Sequence, residues 1–339
     1  MMEQRLKLNF VLANMSKDIG QPTLEDPMIL LAGQAHDLGF EVMCNGGEGM
    51  SAPAPGTSDK PPGYWMCRSD FINFIFDGFD PDWIIPEMLR AKAHGARIYA
   101  IGTEEPGAFG FNQGTPTSVW GIRQKNFELA CKAGCFEGVL YFVPQGGAWY
   151  RKQHANAAHC ETGYSKSLDD PSTLEKVFSF VFCGGMGDYR NNVIKAIDAK
   201  LGGKHMIARQ RPHTLKLPTR QQRDQILRRG KISLQIKPHE LSRIVSGSRC
   251  AWSLLNGVPV VSQFILSHGS EWPQVIRMAD TRHDFVDFAV DVLPHYQNEY
   301  MLQRERFSRI MSPERHLLRA FRELGILSRS ISGKRVLVA

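Results

Sequence analysis

The chain has 339 residues, a net charge of +7 and a 42% share of hydrophobic residues. That length suits two domains rather than one, and the composition is that of a packed globular protein, which excludes a disordered chain. The longest apolar runs, residues 71–76 and 258–266, fall short of the ~20 residues a bilayer requires. The first ten residues carry Glu3, Arg5 and Lys7 where a signal peptide would be apolar, so the expected location is the cytoplasm.

The first half alternates strand and helix signals. Residues 6–13 read as an apolar strand, 26–37 as a helix closed by Gly39, and 40–44 as a second strand. Residues 45–63, rich in Gly, Ser and Pro, read as a loop. A buried strand follows at 71–76, then a helix from Pro81 to about residue 94, closed by Gly95. Residues 97–102 form the next strand, 118–133 a helix and 138–143 a strand. Periodicity fades over 144–171. It returns with strands at 176–183, 205–208, 232–236 and 259–263 and helices at 190–201, 219–229 and 248–256. The tail reads as helices at 285–293, 299–310 and 314–324. Strand–helix alternation of this kind predicts an α/β fold with parallel sheets covered on both faces. The expected domains are residues 1–150 and 175–310, joined by a linker at 151–174, with 311–339 returning to the first.

Seven cysteines, without any CxxC pair, suit buried thiols in a reducing compartment. His154, His159 and Cys160 match no standard zinc spacing. Basic residues concentrate between Lys200 and Arg249 (among them Arg211, Arg223, Arg228 and Arg243), which permits an acidic partner such as nucleic acid or a diphosphate. No strand leads into GxGxxG with an acidic residue at the right distance, which argues against a dinucleotide oxidoreductase.

Three junctions carry chemistry, because ligands of open parallel sheets bind beyond the carboxyl ends of the strands. At 182–190, Phe-Cys-Gly-Gly-Met-Gly-Asp-Tyr-Arg combines glycines for close backbone approach, a helix N-terminus and Arg190. At 232–261, a strand leads through a polar loop to a helix opening with Ser246, Ser248 and Arg249, and Asn256-Gly257 feeds the next strand. At 101–106, a strand runs into Thr103-Glu104-Glu105-Pro106.

The order strand–GG–R–helix, then strand–loop–S-x-R–helix–NG-V-P-V-V, resembles the donor-binding domain of GT-B glycosyltransferases over about residues 177–293. It is similar to the spore-maturation-type glycosyltransferases and, in layout and length, to the T-even phage DNA β-glucosyltransferase family. The resemblance implies two Rossmann-like parallel-sheet domains facing a cleft, with C-terminal crossing helices. It implies a nucleotide-sugar co-substrate, a uridine diphosphate (UDP) sugar, with no resident cofactor. Gly184, Gly185 and Arg190 would face the diphosphate, and Ser248 and Arg249 would contact it from a helix start. Residues 207–218, including Arg209, would pass the nucleobase. Where the family places a ribose-binding glutamate this chain has Trp252, so Glu240 is the substitute candidate. Glu104 falls at the position of the acceptor-activating carboxylate, since a hydroxyl nucleophile benefits from a base. Glu105 is the second choice, and His154 and His159 are fallbacks. No Asp-x-Asp lies in a suitable place, so transfer is expected to need no metal. The favoured acceptor is a hydroxymethylated pyrimidine in double-stranded DNA, extruded from the stack. The alternatives are a cell-surface polysaccharide, lipid or small-molecule acceptor, or a non-catalytic nucleic-acid-binding GT-B protein.

Overall fold

The computed structural model describes residues 6–12, 21–45, 67–202, 207–209, 220–240, 242–266, 268–280 and 284–327, and side chains in all of these except 21–24, 83, 207–209 and 220. The loop expected at 45–63 lies outside them from residue 46, as do Lys204, Arg211, Lys216 and the nucleobase segment beyond Arg209. The chain divides into two compact units, Met1–Thr162 with Pro313–Ala339, and Gly163–Ser312.

In the first unit, six parallel strands stand in the order β2-β1-β3-β4-β5-β6. They are β1 (Lys7–Val11), β2 (Glu41–Asn45), β3 (Ile72–Phe76), β4 (Arg97–Gly102), β5 (Gly138–Tyr141) and β6 (Ala157–His159), with helices α1 (Gln21–Asp37), α2 (Pro81–Ala93), α3 (Val119–Lys132) and α4 (Gly147–Gln153) between them. β3, Ile-Asn-Phe-Ile-Phe, is buried along its whole length, as expected when both faces of a parallel sheet are covered. Local signals set the helix ends. Asp80 accepts from the Asp82 amide ahead of Pro81, and Ser118 caps α3 through the Gly121 amide. Gly95 ends the α2 turn at a φ of 86°, in the left-handed region that favours glycine. A buried asparagine ladder fixes the register of the central strands. Asn45 donates to Asn9 at 2.7 Å, and Asn9 to Asn73 at 2.9 Å.

Two differences from the sequence reading concern this unit. α1 begins at Gln21, ahead of the expected start, and carries Pro27 inside it. Residues 157–159, expected in the linker, form the sixth strand of the sheet. Three residues, two of them alanine, are too few to show a period. The C-terminal stretch completes this unit's core. After a π-helical turn at Glu314–Leu318, α11 (Arg319–Glu323) stacks Phe321 against Phe74 with ring centres 5.4 Å apart.

The second unit holds β7 (Phe178–Phe182), β8 (Ile207–Arg209), β9 (Gly230–Gln235), β10 (Val260–Ser262) and β11 (Arg277–Met278), all parallel, in the order β11-β10-β9-β7-β8. Helices α5 (Asp188–Lys200), α6 (Arg220–Arg228), α7 (Gly247–Leu255), α8 (Trp272–Val275), α9 (Phe285–Val292) and α10 (Tyr296–Ile310) complete it. Its core gathers Phe180, Phe182, Ile232, Leu234 and Val261 from the strands with Ile194, Ile197, Ala289 and Val292 from α5 and α9. Among the described residues no helix is long and apolar enough to cross a membrane. All seven cysteines are free thiols.

Candidate functional site

In the second sheet, the chain leaves β7 for β8 on one side and later returns as β9 on the other. This reversal creates a switch point at the carboxyl ends of β7 and β9, the place where open α/β sheets bind their ligands. The first two junctions converge there. β7 ends at Phe182 and passes through Gly184 and Gly185 into α5, whose N-cap, Gly187, supplies no side-chain cap. Arg190, in the first turn of α5, reaches back across the switch point. Its Nε donates to the carbonyls of Ile236 and Lys237, both at 3.2 Å, and its Nη1 to that of Gly185 at 2.6 Å. Arg249 comes from the first turn of α7, another helix start without a side-chain cap, and donates to the Gln235 side-chain oxygen at 2.9 Å. Both guanidiniums lie over the Phe182 ring, 5.3 and 5.4 Å from its centre. Gly184 packs close to Arg249: a Cβ there would stand 2.8 Å from its Nη2.

The electrostatics of this cluster point one way. Arg190 is held by neutral carbonyls, and no carboxylate among the described residues pairs with it. Burial, and then repulsion from Arg249, push its pKa down from the usual arginine value. Arginine nevertheless stays protonated in proteins. Arg190, without a carboxylate among the described residues, and two helix starts therefore favour positive potential at the switch point, an arrangement suited to phosphate groups.

The other donor candidates are placed less centrally. Ser248 is half-buried in the first turn of α7. Glu240 is exposed in the loop after β9, and its backbone carbonyl accepts from Lys237 Nζ at 2.7 Å. Arg209 ends β8, and its side chain lies outside the described residues. Trp252 is a core residue, 8% exposed, whose indole N–H donates to Asp224. The basic stretch is partly neutralised. Lys200, Arg223 and Arg228 pair with Asp287, Asp224 and Asp170.

The third junction, in the first unit, is acidic. Thr103 and Glu104 follow β4, beside Asp77 at the end of the neighbouring β3. Asp77 is fully buried and accepts from the Thr103 hydroxyl (2.7 Å), the Thr103 amide (3.2 Å) and Arg123 Nη2 (3.1 Å). Burial pushes its pKa up, while Arg123 works in the opposite direction. Arg123 Nη1 also reaches Glu104 Oε1 at 3.3 Å, and Asn112 Nδ2 reaches Oε2 at 2.8 Å. A carboxylate offers about four lone-pair positions, so these contacts leave Glu104, 18% exposed, with room for another donor. Glu105 holds its loop through the backbone, its carbonyl accepting from the Asn112 amide at 2.7 Å. The fallback histidines are engaged by main chain. His154 meets the carbonyls of Asn156 and Phe136, and His159 that of Phe142. Sequence reasoning missed Asp77, Arg123 and Asn112. Asp77 was findable, because it directly follows a buried strand. Arg123 looked like any basic residue on a helix.

Two parallel α/β units of this kind carry the GT-B fold. Solved structures that share it include the DNA-modifying enzyme β-glucosyltransferase, described with and without its substrate uridine diphosphoglucose. It is 10% identical over 94% of this chain and 100% of that one, with a TM-score of 0.55. A T4 phage BGT complex with UDP and Mn2+ is 10% identical over 94% and 99%, at 0.51. AviGT4, a glycosyltransferase of avilamycin A biosynthesis, is 13% identical over 94% and 98%, also at 0.51. The chain spans 55% of the length of TarM, to which it is 14% identical at a TM-score of 0.48. The sequence matches no family model and no curated protein.

Proposed function

We propose that this chain is a glycosyltransferase that moves a sugar from a UDP-sugar to a hydroxyl acceptor. The observation that carries the reading is the convergence of Arg190 and Arg249 on Phe182 at the switch point of the second sheet, with no carboxylate on Arg190 among the described residues. That excess of positive charge suits a diphosphate leaving group. As the acceptor oxygen bonds to the anomeric carbon, the bond from that carbon to the diphosphate breaks. UDP departs with the electron pair, and the two guanidiniums and the uncapped amides of α5 and α7 stabilise its growing charge. Glu104 takes the proton of the acceptor hydroxyl. Gly184 gives Arg249 room, Ser248 adds a hydroxyl near the phosphates, and Glu240 and Arg209 serve the nucleoside end. The site operates without a metal.

The acceptor is a hydroxymethylated pyrimidine in double-stranded DNA. The net charge of +7 supports this reading. So does Phe109, 70% exposed on the Glu104 loop, which offers a flat apolar face to an extruded base.

A thermal-shift screen of nucleotide sugars tests the donor half. A ligand at about 100 times its Kd stabilises the native state by about 2.7 kcal/mol, a rise of several degrees. UDP-glucose or another UDP-sugar should produce it, with or without EDTA. A flat response to every nucleotide sugar removes the proposal. Release of UDP that depends on hydroxymethylated duplex, and weakens steeply with salt, tests the acceptor. Release driven only by glycan or lipid acceptors transfers the reading to those classes.

A further inference from the structure

Resting on the reading of Glu104 as the base, we propose that Arg123 is a positioning residue that aims the Glu104 carboxylate at the acceptor hydroxyl, with Asp77 as its buried anchor. The three groups form a gradient from core to surface. The side chains of Asp77, Arg123 and Glu104 are 0%, 6% and 18% exposed. Asp77 cannot meet a substrate, and its oxygens already accept from Thr103 and Arg123. Arg123 spans the two carboxylates with separate Nη atoms, at 3.1 Å to Asp77 and 3.3 Å to Glu104, beneath the Trp120 ring at 5.0 Å. Its Nε is buried without a partner, so the guanidinium's pose satisfies the two carboxylates at the expense of its own third donor site. A buried ion pair is weak evidence for stability, and fixed geometry is its better-attested use.

The rest of the shell points to the same end. Asn112 holds the other Glu104 oxygen, and it does so from a left-handed backbone shared with Gln113, at φ 53° and 60°. Consecutive residues in that region, neither of them glycine, signal a loop conformation that its surroundings enforce. The Tyr150 hydroxyl donates to the Glu104 carbonyl at 2.8 Å, and burial keeps that phenol protonated. Glu104 is thus fixed at its main chain and at each carboxylate oxygen. Among the described residues, the titratable groups that act on Arg123 are Asp77, Glu104 and Tyr150. With two carboxylates to one guanidinium, the cluster keeps an uncompensated negative charge at its exposed end, which suits proton acceptance.

The test measures UDP-glucose hydrolysis against pH, together with UDP binding by calorimetry, for the wild type and the variants R123K, R123M and E104Q. All three should bind UDP within about twofold of wild type. E104Q should lose hydrolysis. R123K keeps the charge but cannot span both carboxylates, and should fall at least tenfold in rate. R123M removes both contacts and should fall at least as far. Folded R123K and R123M with rates within threefold of wild type across the pH range overturn the inference while leaving the donor reading intact. If R123M does not fold, R123K and N112A decide, the latter removing only the neutral contact to Oε2 with an expected loss of at least fivefold. Wild type that neither binds UDP nor hydrolyses UDP-glucose overturns the functional reading and this inference together.

Discussion

Replacing Arg190 with methionine distinguishes a ligand-binding cation from a structural one, because the two roles predict opposite patterns. In the donor-free protein the substitution removes a guanidinium opposed by burial and by Arg249. Both guanidiniums lie within 5.4 Å of the Phe182 centre, which at an effective dielectric of ~20 makes their repulsion at least about 1.5 kcal/mol. Against this relief stand three hydrogen bonds to carbonyls, worth about 1 kcal/mol each. The difference leaves about 1.5 kcal/mol before any relief of burial, so the melting temperature should fall by no more than about 6 °C. In the presence of UDP a hydrogen bond to a charged group is lost, about 1.5–3 kcal/mol, so Kd should weaken roughly 10- to 150-fold. Calorimetric titration with UDP and melting curves with and without it measure both quantities. An unchanged UDP affinity refutes the diphosphate site. A fall beyond about 10 °C in the donor-free protein shows that Arg190 is a structural strut.

Gly184→Ala places a methyl group 2.8 Å from Arg249 Nη2, at the far end of a flexible side chain that can swing aside. Stability should change by less than about 1 kcal/mol while UDP affinity drops about tenfold; equal affinity would show that Arg249 does not need its present pose. Lys176 donates to the carbonyls of Arg228 and Gly257, and burial, followed by Arg228, lowers its pKa from 10.5 to about 8. Between pH 8 and 10.5 the unfolded chain holds a proton that the folded chain has released. Wild-type stability relative to Lys176→Met should therefore rise across that window, with the full cost of the buried cation present below it. Urea unfolding at pH 7.5 and pH 10 reads the difference, and a flat or falling trend contradicts the assignment.

The strands most visible in the sequence are those buried on both faces. Residues 71–76 and 97–102 are mostly apolar, interrupted only by Asn73 and opened by Arg97, and the structure places β3 and β4 there within one residue. The helix ends at Pro81, Gly95 and Ser118 were legible because capping depends on residues a few positions apart. β6 was not, because its place is fixed by pairing with β5 (Leu140 opposite Ala158) and by Asn156, whose side-chain amide donates to the carbonyl of Leu324. Those partners are distant in sequence, and Ala157-Ala158-His159 carries no pattern of its own.

The same separation of local from distant information divides the candidate site. Gly184, Arg190 and Arg249 were readable because glycine turns and helix starts are local features, and sheet order then brought them to one switch point. Glu104 was readable as a carboxylate at a strand end. Its environment was not, since Arg123 lies 46 residues from Asp77 and only the folded chain brings them together. That environment matters because the two clusters have opposite charge balance. In one, Arg190 rests on neutral carbonyls with no carboxylate paired to it among the described residues, which leaves positive potential for an anion. The other holds two carboxylates around a single guanidinium, which leaves negative potential for a proton. A fold maintained for stability alone gains little from either imbalance, because each carries an electrostatic cost that pairing would remove. Transfer from a diphosphate to a hydroxyl requires both.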